Sequence, residues 1–220
     1  MAAIPSPPTP TDYDVHDFAY AVFDEPLSYA AARRAPDKDK WLEAMQEELE
    51  GLNKQGTWHI VDIPENANLL RTKWVFKKKR DKDGNVTRYR ARLVVKGFTQ
   101  KYGVDYDQTF SPVVRHSTLR IVLALCAYYG LYTRQLDVPK AFPQSDIDYD
   151  CYMHAPTGTT LPRGKCYHLL KSIYGLKQAS RLFNLMLSRF LLSIKFVQCQ
   201  SDTCVYYYSV NGEFAIICVY

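Results

Sequence analysis

Asp137 is the residue on which chemistry could be built. It lies in Gln135-Leu136-Asp137-Val138-Pro139-Lys140-Ala141-Phe142. The spacing predicts a short apolar strand, primed by Leu131 and Tyr132, that delivers one carboxylate at its end. A bulky aromatic, Phe142, follows five residues later. A carboxylate aimed out of a sheet suits Mg²⁺, which takes one or two carboxylates and leaves its other positions to waters and phosphates. Taken alone, the octamer reads more simply as a solvated turn aspartate.

A second chemical feature is cationic. Arg71, Lys73, Lys77, Lys78, Lys79, Arg80, Lys82, Arg88, Arg90, Arg92 and Lys96 face only Asp81 and Asp83 across this stretch. Two β-type runs, 73–79 and 87–95, flank the turn Asp83-Gly84-Asn85, so a hairpin is expected. In the second run Arg88, Arg90 and Arg92 point one way, and Tyr89, Ala91, Leu93 and Val95 the other. A basic stripe backed by a packed face suits a polyanion, because phosphate contacts need charge but no sequence code. Such runs are also common as solvated faces.

The remaining elements must position these groups. Ser28 is placed to cap a short helix through Arg34. A stronger helix spans 37–52, with Trp41, Ala44, Met45, Leu49 and Leu52 on one face and Glu43, Glu47, Glu48 and Glu50 on the solvated rest. A strand runs over 58–63 and stops at Pro64. Gly97 and Gly103 mark a loop through Phe98, Tyr102 and Tyr106. Ser117 is expected to cap a helix over 119–129, closed by Gly130. That helix is apolar nearly all round, which predicts burial against a sheet. Asp146, Asp148 and Asp150 read as a solvated turn. Short strands are expected at 152–153 and 166–170, a helix over 178–192, and a final hairpin, 204–208 with 213–220, about Asn211-Gly212.

Composition narrows the class. The 220 residues are enough for one sizeable core or two small subdomains. Seventeen tyrosines supply amphipathic surface, and the net charge is +5. The six cysteines form no C-x-x-C pair, which predicts reduced, mostly buried thiols and no zinc site. No apolar run reaches the length of a membrane span. Residues 1–11 are rich in proline and have no signal-peptide pattern, and residues 1–25 are expected to be a disordered lead-in.

The order of motifs resembles the reverse transcriptase of copia-type LTR retrotransposons over about residues 25–220. The motifs are Lys40-Trp41-Leu42-Glu43-Ala44-Met45, Gly56-Thr57-Trp58, Lys73-Trp74-Val75-Phe76-Lys77, Tyr89-Arg90-Ala91-Arg92-Leu93-Val94-Val95-Lys96-Gly97-Phe98, Thr109-Phe110-Ser111-Pro112-Val113, Gln135-Leu136-Asp137-Val138 and Lys171-Ser172-Ile173-Tyr174-Gly175-Leu176-Lys177-Gln178-Ala179. The resemblance implies an α+β right-hand polymerase, an antiparallel sheet backed by helices. Residues 26–220 would be the domain, with 55–115 fingers-like and the remainder an incomplete palm.

It also implies an RNA-directed DNA polymerase that extends a DNA primer on an RNA template with deoxynucleotides, by phosphoryl transfer on two Mg²⁺ ions. Asp137 would hold both ions, helped by the Val138 carbonyl. Phe142 would exclude a 2′-hydroxyl. Lys77 or Lys78, with Arg90 or Arg92, would clamp the triphosphate; hairpin register leaves each pair open. Tyr174 and Gly175 would lie beside the nucleotide and template. Lys73, Lys79, Arg88 and Lys96 would meet nucleic acid. An intracellular location, in a cytoplasmic particle or the nucleus, is implied.

Several residues depart from the family pattern. The family carries two further aspartates in Tyr-x-Asp-Asp, and here Tyr220 matches the Tyr as the last residue. The expectation is a chain inactive as a polymerase. The alternatives are a non-catalytic nucleic-acid-binding module, or a product without function whose last strand leaves an unpaired edge. Pro143 stands for the family's Leu, Ser180 for Pro, Phe183 for Trp and Lys195 for Gly. Pro143 is expected to disturb Phe142.

Overall fold

A computed structural model describes residues 24–220. The expected disorder of residues 1–23 lies outside the described residues. In chain order the helices are α1 (Tyr29–Arg34), α2 (Lys38–Lys54), α3 (His116–Tyr129) and α4 (Ala179–Ser193). The strands are β1 (Trp58–Asp62), β2 (Leu69–Leu70), β3 (Thr72–Arg80), β4 (Val86–Val95), β5 (Tyr152–Met153), β6 (Lys165–Leu169), β7 (Val197–Gln198), β8 (Val205–Val210) and β9 (Glu213–Cys218). The mixed α+β content agrees with the sequence reading. Two compact units form: the described part of Met1–Leu49 with Lys73–Leu93, and Glu50–Thr72 with Val94–Tyr220.

The first unit is a helix-backed hairpin. Ser28 Oγ accepts the Ala31 N–H at 3.1 Å and so starts α1. Trp41, Ala44 and Met45 of α2 are buried, together with Trp74 and Phe76 of β3 and Ala91 and Leu93 of β4. The Trp41 ring meets Phe76 at 5.3 Å and Tyr89 at 4.6 Å, both edge-on. Glu48, expected on the solvated face of α2, is buried instead. The turn holds because the Asp81 carboxylate accepts the N–H groups of Asp83 and Asn85, at 3.0 and 2.8 Å, while Gly84 takes φ +83°.

The second unit carries two separate sheets. Four strands run in the order β1-β6-β5-β2, and three in the order β7-β8-β9. β2 pairs parallel to β5, so the expected wholly antiparallel sheet is corrected in that detail. The closing hairpin is as expected: Val210 pairs with Glu213 across Asn211 and Gly212, both at positive φ.

Two expectations about the second unit fail. Residues 131–138 belong to no strand, and Leu136 is 86% exposed. A strand is defined by its ladder partner, and neither sheet takes this segment as a neighbour. Helix α3 is not buried; Ile121, Leu123, Leu125, Tyr128 and Tyr129 are exposed. Apolar composition creates the demand for burial but does not supply the surface that covers it. The helix also begins earlier than expected, with Arg115 rather than Ser117 at the cap position. Asp202 does the capping, its carboxylate accepting the Arg115 N–H at 3.0 Å. Burial raises the Asp202 pKa, but hydrogen bonds from the Arg115 N–H, Thr118 and the Cys204 N–H outweigh it and hold the carboxyl below its ordinary value. Gly130 closes α3 at φ +63°, as expected.

All six cysteines are free thiols; Cys151, Cys166 and Cys204 are buried. Burial first, then Asp105, pushes the Cys151 thiol up to about 12.

Candidate nucleotide and nucleic-acid site

The hairpin sorts its cations by packing. Trp41 touches inward residues of both strands, so the outward residues of β3 and β4 share the opposite face. Lys73, Lys77 and Lys79 are exposed there, as is Arg88; Arg90 and Arg92 are half-buried. The Lys77 Nζ stands 3.2 Å from Glu25, and Arg88 is 3.3 Å from Glu47. Arg92 is engaged within the structure.

Lys78 faces inward. Its side chain is 10% exposed, and its Nζ lies 2.7 Å from Asp24 and 2.9 Å from Asp37. The same ammonium sits 5.9 Å from the Trp41 ring centre and 5.5 Å from that of Tyr89. Burial lowers the Lys78 pKa, but hydrogen bonds to Asp24 and Asp37 outweigh it, so the net shift is upward. Asp24 also pairs with Arg80. The last residues of the expected lead-in, Asp24 and Glu25, therefore bind the hairpin.

In the second unit Phe142 opens a 3-10 turn, Phe142–Gln144. Pro143 occupies an early turn position, where no intrahelical N–H is needed, and its ring is buried. Beside Pro143 the Phe142 ring is half-buried, edge-on to Tyr174 at 4.8 Å and to Phe183 at 6.5 Å. Lys140, just before, takes φ +49°, and Gln144 Nε2 donates to the Pro139 carbonyl at 3.0 Å. Asp137 and Val138 are exposed in the unpaired 131–138 segment.

Tyr174 and Gly175 are brought against the stretch that carries Lys96. The Val95 N–H donates to the Tyr174 carbonyl at 2.8 Å. Gly175 has φ +90°, and a Cβ there would lie 2.1 Å from the Val95 carbonyl oxygen. Only glycine satisfies both demands. Gly175→Ala is expected to destabilise the chain by about 2–4 kcal/mol, measured by denaturant unfolding; a stability equal to wild type would contradict this close approach.

A buried polar network, unread in the sequence, holds this junction. Gln100 Nε2 donates to Gln178 Oε1 at 2.9 Å, and Gln100 Oε1 accepts the Lys177 N–H at 2.8 Å. Gln178 Nε2 donates to the Asp105 carbonyl at 2.7 Å. The Asp105 carboxylate accepts from Asn68 Nδ2 at 2.6 Å and from the Lys101 N–H at 2.7 Å. Polar residues inside otherwise loop-like or helical patterns were the only available signal.

The acidic stretch is not a cluster. Asp146 pairs with Lys171 and Asp148 with Arg181, both at 2.9 Å, and Asp150 lies 3.0 Å from His168. Among the described residues no group of three His, Cys, Asp or Glu side chains could hold a metal ion. No described helix is long and apolar enough to cross a membrane.

The fold and its ordered motifs thus define a mixed α+β domain with a segregated cationic face. The profile of the reverse transcriptase (RNA-dependent DNA polymerase) family matches residues 55–220, and the chain belongs to that family. It is 42% identical over 200 residues to the retrovirus-related Pol polyprotein from transposon TNT 1-94 of Nicotiana tabacum, covering 89% of this chain and 15% of the polyprotein. It is 37% identical over 193 residues to the retrovirus-related Pol polyprotein from transposon RE1 of Arabidopsis thaliana, covering 86% of this chain and 13% of that protein. An uncharacterized mitochondrial protein of Arabidopsis thaliana, AtMg00820, is 39% identical over 146 residues, covering 66% of this chain and 77% of its own length. The chain therefore spans a small part of the polyproteins it matches.

Proposed function

We propose that this chain is the fingers and part of the palm of an RNA-directed DNA polymerase from a copia-type retrotransposon. In this reading residues 26–220 form the domain, with 55–115 fingers-like and the remainder palm-like. One observation carries it: the hairpin presents Lys73, Lys77, Lys79, Arg88, Arg90 and Arg92 on the face opposite the Trp41 packing. That face offers charge-assisted contacts to an RNA template, a DNA primer or a triphosphate. Of the lysine pair, Lys77 serves the triphosphate, because Lys78 is committed inward to two carboxylates. Phe142, held edge-on by Tyr174, supplies a flat apolar wall for the sugar of a deoxynucleotide. An intracellular site of action, in a cytoplasmic particle or the nucleus, follows from this reading.

The donor set does not fit a two-ion centre. Asp137 is exposed in an unpaired segment, and the described residues form no metal-holding group. The described residues are suited to binding and positioning rather than to assembling a pair of Mg²⁺ ions. A polypeptide of these 220 residues is expected to give no Mg²⁺-dependent primer extension on an RNA template. Incorporation above that of an Asp137→Ala variant would contradict it. The non-catalytic binding module remains the second reading, favoured by the same hairpin face.

A further inference from the structure

Phe98 is 80% exposed, on a 3-10 turn, Gly97–Thr99. This is not a loose loop. A Cβ on Gly97 would meet the Gly175 carbonyl oxygen at 2.2 Å, so the two backbones are in direct contact. The Thr99 hydroxyl donates to the Lys96 carbonyl at 2.8 Å, and Asn68 Nδ2 donates to the Thr99 carbonyl at 3.0 Å. The next residue, Gln100, is buried in the glutamine network. The turn is fixed on its inner side and displays an apolar ring on its outer side.

The flanks are cationic. Lys96 precedes the turn, Lys101 follows it, and the Lys96 N–H donates to the Arg71 carbonyl at 2.8 Å, which brings Arg71 alongside. Among the described residues none of these three side chains has a carboxylate partner. The nearby Asp105 is buried and engaged by Asn68 and the Lys101 N–H, and Asp107 is engaged by Tyr149. Tyr102, next to Lys101, is a second exposed ring at 74%.

An apolar ring on a fixed turn, flanked by cations that have no carboxylate partner among the described residues, matches the chemistry of an unpaired nucleotide. Bases stack on the π-face without sequence preference, while phosphates meet the flanking charges. We propose that Phe98, with Arg71, Lys96 and Lys101, forms a binding surface for single-stranded nucleic acid. It rests on the nucleic-acid reading above but uses residues other than the hairpin arginines.

The test uses the full chain and two fluorescent probes, an oligouridylate single strand and a blunt RNA–DNA duplex. Phe98→Ala is expected to weaken single-strand binding by about fivefold to a hundredfold, the worth of one stacked base. Phe98→Trp is expected to retain it, and duplex affinity to stay unchanged in both. The exposed position leaves the thermal unfolding midpoint unaltered. Unchanged single-strand affinity in Phe98→Ala overturns the proposal, as does an equal loss on both probes. So does a shift from dimer to monomer in sedimentation with single-strand affinity unchanged, which would assign the ring to contact with a second copy. Wild-type chain that binds the single strand through Phe98 but ignores the duplex would uphold this surface and remove the hairpin reading instead.

Discussion

Replacing Arg88, Arg90 and Arg92 together with alanine is expected to weaken binding to an RNA–DNA duplex by roughly two orders of magnitude at low salt. Each arginine contributes about 1 kcal/mol once its charge-assisted contact is discounted for screening. The diagnostic quantity is the salt slope. It should become shallower by about 0.9 for each phosphate contact removed. Arg88 must first leave Glu47, but that pair is solvent-exposed on both sides and holds it weakly. The substitutions lie on the outward face, so the Trp41 packing against Phe76 and Tyr89 should survive. Fluorescence anisotropy across a salt series, with circular dichroism as the folding control, checks this. A slope equal to wild type would show that these arginines do not meet phosphate.

Lys78→Met is expected to do the opposite: to cost stability and leave duplex binding in place. Removing the ammonium leaves Asp24 and Asp37 facing each other without their shared counter-ion. Asp24 is partly exposed and water screens it, so the loss is about 2 kcal/mol, between the values for exposed and buried pairs. The pH dependence follows from the shifts. Hydrogen bonds to Lys78 keep Asp24 below 3.8, with opposition from burial; at Asp37 burial is the largest influence and raises, but bonds from Lys78 and Tyr89 outweigh it. Their contribution is present above the ordinary carboxylate range and disappears as pH falls through the lowered values. Lys78 is raised above 10.5, so its contribution is full below that pH and is lost as pH climbs through its folded value. Urea unfolding at neutral pH and in acid should show wild type converging on Lys78→Met in acid. A variant as stable as wild type at neutral pH would contradict the inward role.

The legible parts of the fold are those governed by neighbouring residues. Alternation fixed the faces of β4, Asp83-Gly84-Asn85 announced one turn and Asn211-Gly212 another, and the apolar spacing of α2 placed Trp41, Ala44 and Met45 inside. The illegible parts depend on distant partners. The segment through Asp137 has strand-like composition, but no neighbouring strand closes a ladder with it. Helix α3 has a core-like sequence and an exposed surface for the same reason. Lys77 and Lys78 are adjacent and chemically alike; the inward contacts of Lys78 with Trp41, Tyr89, Asp24 and Asp37 separate them. Gln100 and Gln178, 78 residues apart, carry no local sign that they will meet. Among the candidate site residues, Phe142, Tyr174 and Gly175 gain explicit geometry, whereas Asp137 gains only exposure.

The most direct test of the nucleic-acid reading is lysine footprinting of the chain with and without an RNA–DNA duplex, read by mass spectrometry. Lys73, Lys77 and Lys79 are expected to be reactive alone and protected by the duplex. Lys78 should be unreactive in both states, shielded between Asp24 and Asp37. Equal reactivity of Lys73, Lys77 and Lys79 with and without duplex, or a reactive Lys78, would contradict it.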